Sequence, residues 1–264
     1  MKPLAEMRDP SRIPGLLFDI DDTLTTEGRL TAEAYGAMER LKRAGKLLVP
    51  ITGRPAGWCD HIARMWPVDA VVGENGAFYF RFSVGKLHKT YRDPDEVRAR
   101  NRERLAAIGA HIVERIPGCA LASDQAYRET DLAIDYCEDV PALPLEAAER
   151  IAGLMRAEGL MAKISSIHVN GWFGGYDKLA MTRRLFADVF KISPDVLQRE
   201  FAFAGDSPND APMFEYFENS VGVANVARFA GRLEAEPKYV ALGSAGAGFA
   251  ELAAILLAHN SKGL

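Results

Sequence analysis

The sequence predicts an α/β protein, a Rossmann-like parallel-sheet core with an inserted α+β domain. Three observations carry this expectation. Short apolar runs alternate with helical segments at the start of the chain, the alternation breaks after Gly76, and it resumes at Asp177. Strand, helix, strand in succession is the pattern of a parallel sheet, and one interruption of it marks an insertion. The core is expected over 1–80 and 176–264 and the insertion over 81–175.

Residues 16–18 (Leu-Leu-Phe) are unalternating and apolar and end at Asp19, as a strand buried on both faces does. Residues 31–44 read as a helix, with Thr31 as N-cap, Met38 and Leu41 on one side, and Gly45 closing it. A second apolar run, 47–51, ends at Thr52. A helix over 58–65 and a strand over 70–72 follow. Beyond Gly76, segments 77–82 and 86–91 form a hairpin around Ser83-Val84-Gly85, and 94–108 and 145–158 are helical. Leu132, Ile134 and Tyr136 alternate with small or polar residues, predicting a half-exposed antiparallel strand; 161–165 and 167–170 are further strands. After Asp177 come a helix over 178–190, a strand over 201–204 ending in Gly205-Asp206, a helix over 211–217, strands over 220–223 and 239–242, and a helix over 249–259.

Composition narrows the class of function. The 264 residues are 48% apolar and 26% charged, with 32 basic and 36 acidic side chains and a net charge of -4. Intrinsic disorder is excluded, and no apolar stretch reaches the roughly 18 to 20 residues of a membrane span. Lys2, Glu6, Arg8, Asp9 and Arg12 interrupt the first residues where a signal peptide needs an apolar core, so a cytoplasmic location is expected. Cys59, Cys119 and Cys137 have neither zinc spacing nor disulfide density and read as small hydrophobes in a reducing compartment. The mild acidity predicts no nucleic-acid partner, and oligomeric state is not legible.

In open α/β sheets ligands bind outside the carboxyl ends of the strands. The most polar motifs fall there: Asp19-Ile20-Asp21-Asp22-Thr23, Thr52-Gly53-Arg54 and Gly205-Asp206-Ser207-Pro208-Asn209-Asp210. Carboxylates gathered in one crevice repel one another near neutral pH, and a hard divalent cation removes that cost. An incomplete set of oxygen ligands suits Mg²⁺, which keeps several waters and accepts substrate phosphate. The Thr52 hydroxyl, with backbone N–H groups beside Gly53, offers a phosphate cradle, and Lys178 adds a point charge.

These motifs, in this order, resemble the haloacid dehalogenase superfamily of phosphotransferases. Asp19-Ile20-Asp21-Asp22-Thr23 matches its D-x-D-x-T signature, Thr52 its strand-end Thr, Lys178 its third motif, and Gly205 to Asp210 its G-D-x-x-N-D string. An insertion between the second and third motifs, preceded by Gly73-Glu74-Asn75-Gly76, is similar to the Cof-like branch with a large α/β cap. That branch contains sucrose and mannosylglycerate phosphatases along with phosphomannomutase.

The resemblance implies a Mg²⁺-dependent phosphatase of a small phosphorylated metabolite, with a sugar phosphate as the expected substrate class. It implies Asp19 as nucleophile, forming an aspartyl phosphate, and Asp21 as general acid and base. Asp19, the backbone carbonyl of Asp21, Asp206 and Asp210 are the implied metal set, with Asp210 direct or through water. Thr52, Lys178 and Asn209 are the implied phosphoryl contacts. Asp22 departs from the Gly of many relatives, which bears on metal preference.

Several residues carry two readings in sequence. Thr52 either binds phosphate or caps the next helix, and Lys178 either binds phosphate or is a solvated helix residue. Arg54 is a substrate contact or a surface salt bridge. His168, Asn170 and Trp172 face a sugar or serve packing and a hinge, while Trp58 and Trp66 belong to the core or its edge. Two other functions compete. A phosphomannomutase-like enzyme would need a bisphosphorylated sugar as activator, and a receiver-like phospho-aspartate domain would use a similar Asp, Thr and Lys without turnover.

Overall fold

The computed structural model describes residues 1–258. The first part of the chain lays down β1 (Lys2–Pro3), β2 (Gly15–Phe18), α1 (Ala32–Arg43), β3 (Leu47–Pro50), α2 (Ala56–Met65) and β4 (Val71–Gly73). Next come β5 (Phe78–Ser83), β6 (Lys86–Tyr91), α3 (Asp95–Arg115), β7 (Ala120–Leu121), β8 (Leu132–Asp135), α4 (Leu145–Ala157), β9 (Met161–Ile164) and β10 (His168–Trp172). The last part holds α5 (Lys178–Leu185), α6 (Pro194–Glu200), β11 (Ala202–Gly205), α7 (Ala211–Tyr216), β12 (Asn219–Gly222), β13 (Tyr239–Val240) and α8 (Ala245–Leu257). No helix among the described residues is long and apolar enough to cross a membrane.

Six strands form a parallel sheet in the order β1-β13-β12-β11-β2-β3. Period-two alternation sends Leu16, Phe18 and Leu48 to one face against α1 and α8, and Leu17, Val49 and Ile51 to the other against α5 and α7. Both faces are therefore covered, which is why these strands read as unbroken apolar runs. Pro50 ends β3 without loss of a bond to β2: the Ile51 N–H bonds Phe18 O, and the donor that Pro50 lacks would have pointed to the other side, where the bonding to β4 begins only with the Thr52 N–H to Val72 O.

β4 touches β3 through one parallel bridge, Ile51 to Val72, and continues into an antiparallel sheet β4-β5-β6. The turn of that hairpin has Val84 and Gly85 at φ 51° and 71°, the left-handed pair that a two-residue hairpin favours. Phe78 and Phe80 pack with Cys59 and Ile62 of α2. A second antiparallel sheet, β7-β8-β10-β9, rests on α3 and α4 through Ile112, Leu132, Ile134, Ile151 and Val169.

Two expectations change here. The strand β8 was expected half exposed, but all four of its residues are buried, because its second face looks toward the carboxyl end of the parallel sheet instead of solvent. The helix expected over 94–108 runs on to Arg115. Gly109 does not stop it, since the space its missing side chain leaves is filled by Leu121 and Leu132, 2.8 and 2.9 Å from where a Cβ would stand.

Smaller differences have local causes. Helix α5 gives way at Phe186 to a π-helical turn through Phe190. Helix α6, absent from the sequence reading, is announced by Ser193, whose hydroxyl caps Val196 N–H, and by Pro194 at its first turn. The helix expected over 249–259 begins earlier, at Ala245, and its expected last residue, His259, lies outside the described residues.

Candidate active site

β2 and β11 are neighbours, with Phe18 opposite Ala204 in register, so the loops that leave them start side by side. The Asp19 N–H bonds Ala204 O at 2.9 Å, seating the first carboxylate against Gly205-Asp206. Beyond it the chain turns sharply: Ile20 O accepts the N–H groups of Leu24 and Thr25, both at 2.9 Å. Within that turn Asp22 sits at φ 55°, a conformation glycine adopts freely.

Lys178 Nζ, at the first turn of α5, lies 2.7 Å from Asp19 Oδ1 and 2.7 Å from Asp210 Oδ1. The second oxygen of Asp210 accepts the backbone N–H groups of Asp206 and Ser207 at 3.1 and 3.3 Å. Asp206 takes the Thr23 hydroxyl at 3.2 Å and the Asn225 amide at 3.1 Å. All four charged side chains are almost fully buried.

Burial raises the Asp19 carboxyl to about 8, against the pull of Lys178, with Asp210 and Asp21 adding to the rise. Asp206 goes well above its ordinary value for the same reason, reinforced by Asp19 and Asp210. Burial works to lower Lys178, but Asp19 and Asp210 outweigh it and hold the ammonium above its usual range.

The donor set fits a divalent cation. Oxygens of Asp19, Asp206 and Asp210 lie within 4.8 Å of one another, and with all three carboxyls ionised one ammonium faces three negative charges, a deficit of two that a divalent cation would fill. Hard oxygen donors without His or Cys suit Mg²⁺ over softer metals. Asp21, named in the sequence with this set, contributes no carboxylate to it: its side chain turns to Arg54.

That pairing corrects the reading of Arg54 as a surface salt bridge. Arg54 is 3% exposed and donates to both oxygens of Asp21, to Asp124 Oδ2 at 3.4 Å and to Glu138 Oε1 at 2.5 Å. Trp58, expected in the core or at its edge, is 41% exposed and lies beneath the guanidinium, 4.4 Å from its ring centroid. The Thr52 hydroxyl accepts the Arg54 N–H at 3.0 Å, fixing the turn over Gly53.

Asp19, Asp21, Gly53, Arg54 and Asn209 line one narrow pocket together with His168 and Asn170 of β10. The Asn209 side chain is held by the Ser207 hydroxyl at 2.8 Å. Trp172 is not at this wall; it is 1% exposed, stacks on Tyr176 and donates its Nε1–H to Tyr176 O.

Comparison with known proteins bears on the fold. The family model for haloacid dehalogenase-like hydrolases matches residues 16–99. The sucrose-phosphatase of Synechocystis, solved with sucrose and phosphate, aligns over 93% of this chain and 98% of its own, with 17% identity and a TM-score of 0.63. The chain carries the haloacid dehalogenase-like fold.

The C-terminal domain of the C. albicans trehalose-6-phosphate phosphatase shares it, at 14% identity over 93% of each chain and a TM-score of 0.67. So does a Bacteroides thetaiotaomicron protein from the phosphatases of the haloalkanoate enzyme superfamily, at 20% identity, 94% and 96% coverage and a TM-score of 0.59. No curated protein matches by sequence.

Within this haloacid dehalogenase-like frame, a buried charge network that the sequence reading missed ties residues 124–138 to the parallel-sheet side. Arg128 donates to Asp124, Asp131 and the Gly53 carbonyl, the last at 2.8 Å. Glu74, 0% exposed, accepts the N–H groups of Ala56, Glu129, Thr130 and Asp131 and the Thr130 hydroxyl. Asp131 also accepts the side-chain amides of Asn75 and Asn170. Glu138 reaches Arg54, and His168 Nε2 lies 2.9 Å from Glu138 Oε2. The sequence signals for this were Gly73-Glu74-Asn75-Gly76 and the residues Arg54, His168 and Asn170; Asp124, Arg128, Asp131 and Glu138 look like ordinary loop charges.

Proposed function

We propose that this protein is a Mg²⁺-dependent phosphatase of a small phosphorylated metabolite, a sugar phosphate, working through an aspartyl-phosphate intermediate. One observation carries the reading: a buried Asp19 at a strand end, beside Asp206 and Asp210, with a single Lys178 shared between Asp19 and Asp210. Such a cluster is costly to fold and suits a site that must balance phosphate charge.

In this reading Asp19 Oδ attacks phosphorus, the bond from phosphorus to the ester oxygen breaks, and Asp21 gives a proton to the departing alkoxide. A water then attacks the phosphoryl group on Asp19, losing its proton to Asp21, and releases inorganic phosphate with Asp19 restored. Lys178, Thr52 and Asn209 are the proposed holders of the phosphoryl oxygens, and Gly53 supplies backbone beside them. Asp19, Asp206 and Asp210, with the Asp21 carbonyl, are the proposed holders of Mg²⁺, which when bound supplies charge neutralisation for the transferring group. Arg54 is a positioning residue, orienting Asp21 toward the ester oxygen.

Residues 81–175 act in this proposal as a cap over a core of 1–80 and 176–264, closing the site against water. The free Cys59, Cys119 and Cys137 fit a reducing, cytoplasmic setting.

The experiment is phosphate release from a panel of hexose phosphates, phosphoglycerates and nucleotides, with Mg²⁺ and with EDTA. Turnover of one or more sugar phosphates that stops with EDTA upholds the proposal. A folded, Mg²⁺-loaded protein that releases no phosphate from any of them overturns it.

A further inference from the structure

A cavity of about 300 Å³ shares Asp21 and Arg54 with the pocket that holds Asp19. Under the phosphatase reading, on which this inference rests, it is where the alcohol part of the ester would extend. Its size is at the small end for ligand cavities, which suits a leaving group no larger than a sugar.

The charged groups around it are Asp21, Asp22, Glu27 and Glu138 against Arg54 and Arg228. Two of these cancel locally, since Arg54 and Asp21 hold each other. Arg228 gives little compensation: its side chain is 70% exposed and its ion pair with Asp22 is 3.9 Å long. The wall is therefore acidic, an unusual lining for the immediate surroundings of a phosphate ester.

Glu138 is the fixed member of that wall. One carboxylate oxygen sits 2.5 Å from Arg54 Nη2 and the other 2.9 Å from His168 Nε2, while the side chain stays 23% exposed. Burial opposes the charge, but His168 and Arg54 prevail and hold the carboxyl down at about 2. An ionised carboxylate in this position accepts hydrogen bonds from hydroxyls and repels a second anion.

We propose that Glu138 is a specificity-determining residue, selecting monophosphate esters of uncharged polyols and rejecting alcohols that bear a second phosphate or a carboxylate. The same wall disfavours the bisphosphorylated sugar that a mutase would need. A residue that merely anchored Arg54 would, when changed, slow every ester alike, whereas a selector changes the ratio between them.

The test compares glucose 6-phosphate with glucose 1,6-bisphosphate in Mg²⁺, in the parent and in Glu138→Gln. The parent should favour the monophosphate in kcat/KM by about tenfold or more, and Glu138→Gln should bring the two within about threefold. No preference in the parent, or an equal loss on both esters in the variant, overturns the proposal. Calorimetric binding of the same two esters to Asp19→Asn, with Mg²⁺, separates this from the phosphatase reading. If the parent released phosphate from neither ester nor from any other ester of the panel, that reading would fail, yet monophosphate binding about tenfold tighter would still uphold the specificity. Bisphosphate binding as tightly or more tightly would overturn it.

Discussion

Arg54 occupies both carboxylate oxygens of Asp21: its Nε lies 2.9 Å from Oδ1 and 3.1 Å from Oδ2, and its Nη2 lies 2.8 Å from Oδ1. A planar fork orients a carboxylate in a way a point charge does not. Arg54→Lys is therefore expected to lower kcat on p-nitrophenyl phosphate by about a hundredfold while circular dichroism is unchanged, the lower range for a displaced acid-base group. Retention of parent kcat would show that Asp21 needs no such orientation.

Removing the nucleophile is a sharper test. Asp19→Asn keeps the volume and a hydrogen-bond acceptor for Lys178, so thermal stability should stay close to the parent. Turnover should fall by about 10⁴-fold or more, as loss of a covalent catalyst does. Acid-quench trapping of a phosphorylated chain from labelled substrate should succeed with the parent and fail with the variant.

Without a divalent cation the acid cluster makes folding pH-dependent. Asp19 has its carboxyl raised from 3.8 to about 8 by burial, and Asp206 is raised too. Both bind their proton more tightly folded than unfolded, so stability is lost as pH climbs from about 4 to about 8. Mg²⁺ needs the deprotonated ligands, so the rise in Tm it causes should be larger at about pH 8 than at about pH 5.5. Equal rises at both would contradict these carboxylates as the binding groups.

The buried Arg128 tests the network that links residues 124–131 to Gly53. Its side chain is 0% exposed and paired with Asp124 and Asp131. Arg128→Met leaves two buried carboxylates short of a partner and should cost about 3 to 5 kcal/mol in urea unfolding. By contrast the Arg199–Asp195 pair is 63% and 64% exposed, and Arg199→Met should stay within about 0.5 kcal/mol.

Gly76 stands at φ 105°, after Glu74 at 41° and Asn75 at 55°. A Cβ there would lie 2.0 Å from the Asp177 carbonyl oxygen, next to Lys178. Gly76→Ala must push backbone against backbone, so a loss of about 1 to 3 kcal/mol is expected. Because the displaced segment carries Lys178, phosphatase activity should fall further than stability alone explains; a variant with parent kcat and lowered Tm would separate the two.

Much of this protein is readable locally. The runs at Leu16 to Phe18 and Leu47 to Pro50 are apolar on both alternating faces because helices cover both sides of the sheet. The Thr31 cap and the break at Gly45 bracket α1 as expected. Asp19, Thr52 and Asp206 are visible as polar residues where apolar strands stop, a position defined by sequence adjacency alone. Even the misplaced end of α3 has a local sign, Gly109, whose meaning depends on what fills the space beside it.

What only the tertiary structure decided is which charge meets which. Arg54 could have been a surface residue, yet it pairs with Asp21 and with Glu138, 33 and 84 positions away; Arg128 reaches Gly53 O across 75. Secondary structure and strand-end chemistry follow from neighbours along the chain, so the sequence by itself determined the parallel sheet, its interruption and the carboxylates at its ends. Ion-pair choice follows from desolvation: once residues 124–138 cover the mouth of the sheet, each buried charge must find a partner there, and periodicity carries no record of that partner.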